Sequence, residues 1–161
     1  MNELAMAEMN QIETELIMLG TGNATVTKCY NTCFILQTKE TVLLVDGGGG
    51  NGILNQLEKV DVPIDSIHDM FVTHAHTDHI LGAVWMIRII AQRASNGHYF
   101  GTFRVYGHDK VLMVLEQICR MTLPVSVMKA INKHIEFYEI KNGDTLQLGD
   151  LSLQCFDIAS T

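Results

Sequence analysis

The stretch His74-Ala75-His76-Thr77-Asp78-His79 decides how this chain is read. It directly follows a short apolar run, Met70-Phe71-Val72-Thr73. Four of its six side chains are imidazoles or carboxylates, the donors that zinc, iron and manganese accept. His74 and His76 stand two apart, so an extended backbone points both to one side. Asp78 and His79 follow where the chain must turn. Ligands packed this densely can reach two adjacent cations, the arrangement that activates a water and polarises an ester or amide at once.

The flanks agree with that reading. Residues 69–73 form the strand that delivers the hexad. From His79 to about Ala94, the run of Ile80, Leu81, Val84, Trp85, Met86, Ile87, Ile89 and Ile90 makes a helix buried on most of its circumference. The start of such a helix carries partial positive charge and free N–H groups, which favour hydroxide or a substrate anion nearby. Upstream, residues 15–19 are an apolar strand closed by Gly20, and residues 32–38 and 41–45 pair as a hairpin about Lys39-Glu40. Asp46 then opens four consecutive glycines, Gly47 to Gly50, which let backbone approach a site closely. No Gly-Lys-Ser/Thr follows them, so a phosphate-cradling loop of that type is excluded. Residues 51–59 read as a helix with Ile53, Leu54 and Leu57 on one face, and after Pro63 the carboxylate of Asp65 is expected to cap a short turn.

Downstream of Asn96-Gly97 the pattern gives a strand at Phe103–Gly107, a helix capped by Asp109 and running to about Arg120, and a short helix over residues 125–132 after Pro124. Residues 135–140 and Thr145–Leu148 are expected to pair across Asn142-Gly143, a strong hairpin signal, and Gly149-Asp150 turns into a last strand over residues 151–158. Helices and strands therefore mix in an α/β (α+β) chain with no internal repeat.

The hexad resembles the HxHxDH signature of the metallo-β-lactamase superfamily. Leu19-Gly20-Thr21-Gly22-Asn23-Ala24, after the first strand, is similar to the same place in ribonuclease Z and its relatives. Leu43-Leu44-Val45-Asp46-Gly47-Gly48 resembles the family's strand ending in Asp-Gly, and residues 73–82, THAHTDHILG, are close to the ribonuclease Z form of the metal loop. The likeness runs from about Leu16 onward. It implies one metallo-β-lactamase-like domain over residues 1–161, built as the first half to two-thirds of an αββα sandwich, C-terminally incomplete, with residues 1–14 as a flexible extension. It implies a metal-dependent hydrolase, most like a ribonuclease Z-type phosphodiesterase using metal-activated water. A complete member would hold two zinc ions, with manganese or iron as substitutes. The implied ligands are His74, His76, Asp78 and His79, and Asp78 would also serve catalysis as a proton shuttle. Asp46 is the candidate for bracing the metal loop by orienting ligand imidazoles, its other reading being a simple turn residue before glycine. Complete members bring a third histidine, a bridging aspartate and a final histidine later in the chain. Where relatives place that third histidine, before Ser160-Thr161, this sequence has Ala159.

The resemblance leaves two other readings open. One is a non-catalytic truncated or degenerate fragment; the other is a small-molecule esterase or lactonase of the same superfamily. Half a sandwich would expose an apolar sheet face, so a homo-oligomer, a dimer through that face, is expected. The expected substrate is RNA or a small phosphodiester.

Composition sets the outer limits. The chain has 161 residues, 47% of them hydrophobic and 18% charged, a globular profile of one-domain size. No apolar run reaches the length of a membrane span, and the acidic start MNELAMAEMNQIETE is unlike a secretory signal, which points to a cytoplasmic protein away from membranes. A net charge of −7 with no basic stripe argues against a broad nucleic-acid footprint. Cys29, Cys33, Cys119 and Cys155 are scattered and read as reduced thiols, the alternative being a Cys29–Cys33 redox pair. A closed structural zinc site is the remaining metal reading, disfavoured because the cysteines lie far from the hexad. His68 reads as a surface or bracing residue, and His98, His108 and His134 as surface histidines. Ser95, Ser126 and Cys119 have no base at readable spacing, so covalent catalysis is not supported.

Overall fold

Six strands hydrogen-bond in chain order in the computed structural model, which describes residues 13–158. They are β1 (Glu15–Gly20), β2 (Cys33–Gln37), β3 (Val42–Val45), β4 (Asp69–Phe71), β5 (Phe103–Gly107) and β6 (Ile135–Glu139). β1, β2 and β3 run antiparallel, as short links allow; from β3 to β6 the pairing is parallel, and the crossovers carry helices. These helices are α1 (Gly52–Lys59), α2 (Thr77–Ser95), α3 (Asp109–Thr122) and α4 (Val125–His134).

Side chains directly opposite in register share a face of the sheet. Ile17, Ile35, Leu44, Met70, Val105 and Phe137 therefore form one row across all six strands, and this row meets the helices. Helix α2 supplies Ile80, Met86, Ile87 and Ile90 to that layer, each at most 1% exposed, as expected for a helix apolar around most of its girth.

The opposite face carries Met18, Phe34, Val45, Phe71, Tyr106 and Tyr138 in one row, and Leu16, Leu36, Leu43, Asp69, Arg104 and Glu136 in the next. Asp69 is buried there because Arg104 grips both its oxygens, at 2.7 and 2.6 Å, and the Tyr106 hydroxyl donates to it at 3.2 Å. A second, two-stranded sheet, β7 (Thr145–Leu148) and β8 (Leu151–Gln154), lays Leu148 and Leu151 over Leu43, Val45 and Tyr106. It is pinned to the β2–β3 turn by Thr41 Oγ1, which donates to the Leu148 carbonyl at 3.0 Å, and by Thr38 Oγ1, which donates to Asp150 Oδ1 at 2.5 Å.

Three expectations need correcting. The hairpin is not between β6 and β7. β6 is taken by β5 instead, where Phe137 opposes Val105 and the Tyr138 ring stacks on Tyr106 at 5.3 Å between centroids. Asn142-Gly143 does make a turn, but it closes on the residue just after β8: the Gly143 amide donates to the Cys155 carbonyl and the Cys155 amide to that of Asp144. The hairpin signal specifies a turn and not which strands it joins. Second, Asp65 and Asp109 do not cap. Asp65 lies inside the 3-10 turn Ile64–Ser66, and its carboxylate is held by Arg93, while Asp109 is the first residue of α3, preceded by His108. Third, the second sheet face is not bare, since β7–β8 covers its centre; Leu16 and Met18, 57% and 43% exposed, remain open on β1. The expected extension lies almost wholly in residues 1–12, and Ala159 also falls outside the described residues. Among the described residues no helix is long and apolar enough to cross a membrane.

The strand order has a direct spectroscopic consequence. NOE contacts should link Val105 to Phe137, and none should link Phe137 to Leu148; the reverse pattern would restore the hairpin that the sequence favours.

Candidate metal site

β3 ends at Val45, and the next residue leaves the sheet with φ +59°, a conformation uncommon for any residue but glycine, although aspartate tolerates it better than most. The Asp46 amide still donates to the Phe71 carbonyl at 2.8 Å, extending the parallel ladder by one residue. The twist then turns the side chain towards the end of the neighbouring strand. There the buried carboxylate is fully used: Oδ1 accepts the Thr73 amide at 2.8 Å, and Oδ2 accepts the Thr73 hydroxyl at 2.7 Å and lies 2.8 Å from His79 Nδ1. The side chain thus ties the end of β4 to His79, which a simple turn residue would not do.

The network assigns the tautomers. A carboxylate only accepts, so His79 carries a proton on Nδ1 and, in its neutral form, keeps the Nε2 lone pair. The Thr73 hydroxyl has spent its proton on Asp46, so at 2.9 Å it accepts from His74 Nδ1, and His74 Nε2 is left free as well. Both neutral rings are thus fixed from behind through Nδ1, with Nε2 as the nitrogen that could bind a metal. The His74 and His79 rings lie 4.0 Å apart between centroids, and His76 meets His74 edge-on at 4.7 Å. Asp78 Oδ2 is 3.4 Å from His79 Nε2. One donor atom from each of Asp46, His74 and His79 lies within 4.8 Å of the others. All four hexad donors and Asp46 therefore share one small region, and no cysteine joins that group among the described residues. Neutral imidazoles with carboxylates suit a borderline divalent cation, so the donor set fits the metal that the resemblance implies.

The helix behind the site is held by backbone. The Gly47 amide donates to the His79 carbonyl at 2.9 Å and the Gly82 amide to the Gly48 carbonyl at 2.8 Å. A methyl group on Gly82 would sit 1.7 Å from the Gly47 carbonyl oxygen, so only glycine permits this approach. His76 stands at the N-cap of α2 and makes no side-chain cap bond, which leaves first-turn N–H groups open beside the histidines.

Charge divides unevenly over the two facing rings. The hydrogen bond to Asp46 raises the His79 pKa above the ordinary histidine value, outweighing partial burial. Burial first, and then the neighbouring His79, push His74 below it.

The remaining candidates lie elsewhere. His68 Nδ1 sits 2.8 Å from the Tyr99 hydroxyl, His98 and His108 are exposed, and His134 is half-buried. The Ser95 hydroxyl is spent on the Ala91 carbonyl of its own helix. Cys119 and Cys33 are buried thiols pushed up to about 12 by desolvation, and Cys29 is an exposed free thiol. Sequence reasoning passed over Thr73, although it directly precedes the hexad, because a hydroxyl is not a ligand type. It also passed over Tyr30, for which nothing local gives a signal.

The family model described as "Anti-Pycsar protein Apyc1" matches residues 14–159. The chain belongs to this family. The Apyc1 of Bacillus phage BSP38 is 37% identical over 70 residues, a match covering 43% of this chain and 27% of the phage protein. Ribonuclease Z of Methanococcus aeolicus is 28% identical over 137 residues, 84% of this chain and 39% of that enzyme. Among solved structures, the metallo-β-lactamase fold protein YhfI of Bacillus subtilis superposes with a TM-score of 0.62 at 20% identity, over 84% of this chain and 50% of that one. The fold is thus that of the metallo-β-lactamases, and the chain matches half or less of the length of each of these relatives.

The opposed shifts can be read by NMR titration of the metal-free protein. His79 should titrate above the ordinary histidine value and His74 below it. The His79 contribution to stability is present below the unfolded-state pKa and is lost as pH rises through the raised one. His74 acts in the opposite sense, favouring its neutral ring, so its contribution is lost as pH falls through the unfolded histidine range and its own lowered pKa. Coincident titration of the two rings would contradict the assigned network.

Proposed function

We propose that this chain carries the metal-binding half of a phosphodiester hydrolase, with His74, His76, Asp78 and His79 as ligands to zinc, or to manganese or iron in its place. The observation that carries the reading is the Asp46 network, which engages His74 and His79 through Nδ1 and turns Nε2 of His79 towards Asp78. A bound divalent cation would supply Lewis acidity, lowering the pKa of a water and polarising the phosphoryl oxygen. The chain's own groups do the rest. Asp46 and Thr73 orient the imidazoles. The open N–H groups at the start of α2 attract the anionic substrate. Asp78, at the edge of the cluster, carries the proton between water and leaving group.

Support for phosphodiester chemistry comes from the likeness to ribonuclease Z along most of the chain, and support for a small substrate from charge. Arg93 and Arg104 are committed to Asp65 and Asp69, and Arg88 lies over the Trp85 ring, so no cationic track is assembled for a long polyanion from these residues. Cyclic or otherwise short phosphodiesters fit better than an RNA duplex. Self-association through the open part of β1, at Leu16 and Met18, belongs to the same reading.

The test is metal content and turnover of bis-p-nitrophenyl phosphate by the purified chain. Bound zinc, turnover abolished by chelation and restored by zinc, and a loss of about 100-fold in His76→Ala and Asp78→Ala are expected, on the scale of disrupted metal sites. Zinc-loaded protein with no turnover would favour the binding-only fragment, and protein without metal or turnover would contradict the reading.

A further inference from the structure

Tyr30 lies outside the hexad and outside every strand, yet three backbone groups of the glycine run converge on it. Its hydroxyl reaches the carbonyl oxygens of Gly47 at 2.8 Å and Gly50 at 2.7 Å, and accepts the Gly50 amide at 3.3 Å. Desolvation pushes this phenol up to about 12, so it stays a donor throughout the working range. The ring fills the space that side chains would otherwise need: a methyl on Gly48 would fall 2.3 Å from Tyr30 Cε1, and one on Gly52 2.6 Å from Cε2. The glycines are therefore shaped to this ring as well as to α2.

The other side of the same run is the metal cluster. Asp46, which holds Thr73 and His79, is bonded directly to Gly47 in the chain. The Gly47 amide holds the His79 carbonyl, and the Gly48 carbonyl holds the Gly82 amide. One aromatic hydroxyl thus sets the path of the segment that sets Asp46, and Asp46 sets two imidazoles. Asp46, at φ +59°, leads directly into the run that Tyr30 holds.

We infer that Tyr30 is a positioning residue for the metal cluster, its hydroxyl fixing residues 47–50 so that Asp46 meets His79 and Thr73 in ligand-ready geometry. This rests on the metal reading above. It assigns Tyr30 no contact with substrate or cation.

Tyr30→Phe keeps the ring and removes only the hydroxyl. Two readouts on the full chain separate positioning from general support. Zinc affinity by chelator competition should fall about tenfold, the low end of what loss of an outer partner costs a metal site. In zinc-free protein, amide exchange at Gly50 should speed up while Ile35 and Leu44, in the β2–β3 pair, keep the parent rate. Zinc affinity unchanged beside a zinc-binding parent would overturn the role of Tyr30 alone. Exchange accelerated equally at Gly50, Ile35 and Leu44 would also overturn it, by showing a general loss of stability. A parent chain that binds no zinc would overturn the metal reading and this inference with it.

Discussion

The carboxylate of Asp46 is the interaction on which the rest of the site depends. A buried carboxylate must be supplied with donors or it will not stay charged, and here Thr73 and His79 supply all of them. The cost of burying this group is offset by hydrogen bonds that also do something useful, because each donor belongs to the segment that carries the clustered histidines. Removing the acceptor would free the Thr73 hydroxyl to choose between partners and leave the His79 ring without a preferred tautomer. Imidazole orientation and local stability are therefore one property of this carboxylate, and backbone strain at φ +59° is its local expense.

The fold places that carboxylate by simple means. β3 and β4 are parallel neighbours, so their C-terminal ends emerge side by side, one carrying Asp46 and the other Thr73 and the hexad. Ligand sites in open α/β sheets form outside such strand ends. α2 starts from the hexad and packs back on the sheet through Ile80, Met86, Ile87 and Ile90, so the core that stabilises the domain also fixes where the first turn of the helix stands.

The parts legible in the sequence were those written in local periodicity or in ligand chemistry. The hexad, the apolar helix after it and the Lys39-Glu40 hairpin all have short-range signatures, and each element is found where its pattern puts it. The failures share one cause. Whether Asn142-Gly143 joins β6 to β7 depends on the competing offer from β5, which lies some thirty residues away in the chain. Whether Asp65 caps a turn or binds Arg93 depends on where α2 ends. Thr73 and Tyr30 matter only through partners brought close by folding, so no window of sequence displays their roles. The apolar second face was expected to stand bare; β7 and β8 cover its centre instead, a contact that depends on where the misassigned turn sends the chain.

If the carboxylate organises the cluster, its removal should be felt at the cation before it is felt by the fold. The most direct measurement is a calorimetric zinc titration of the parent chain beside Asp46→Ala, with both variants checked to be folded. The account predicts that Asp46→Ala binds zinc about 10- to 100-fold more weakly, in line with lost support behind ligand histidines. Equal zinc affinity in the two proteins would contradict it.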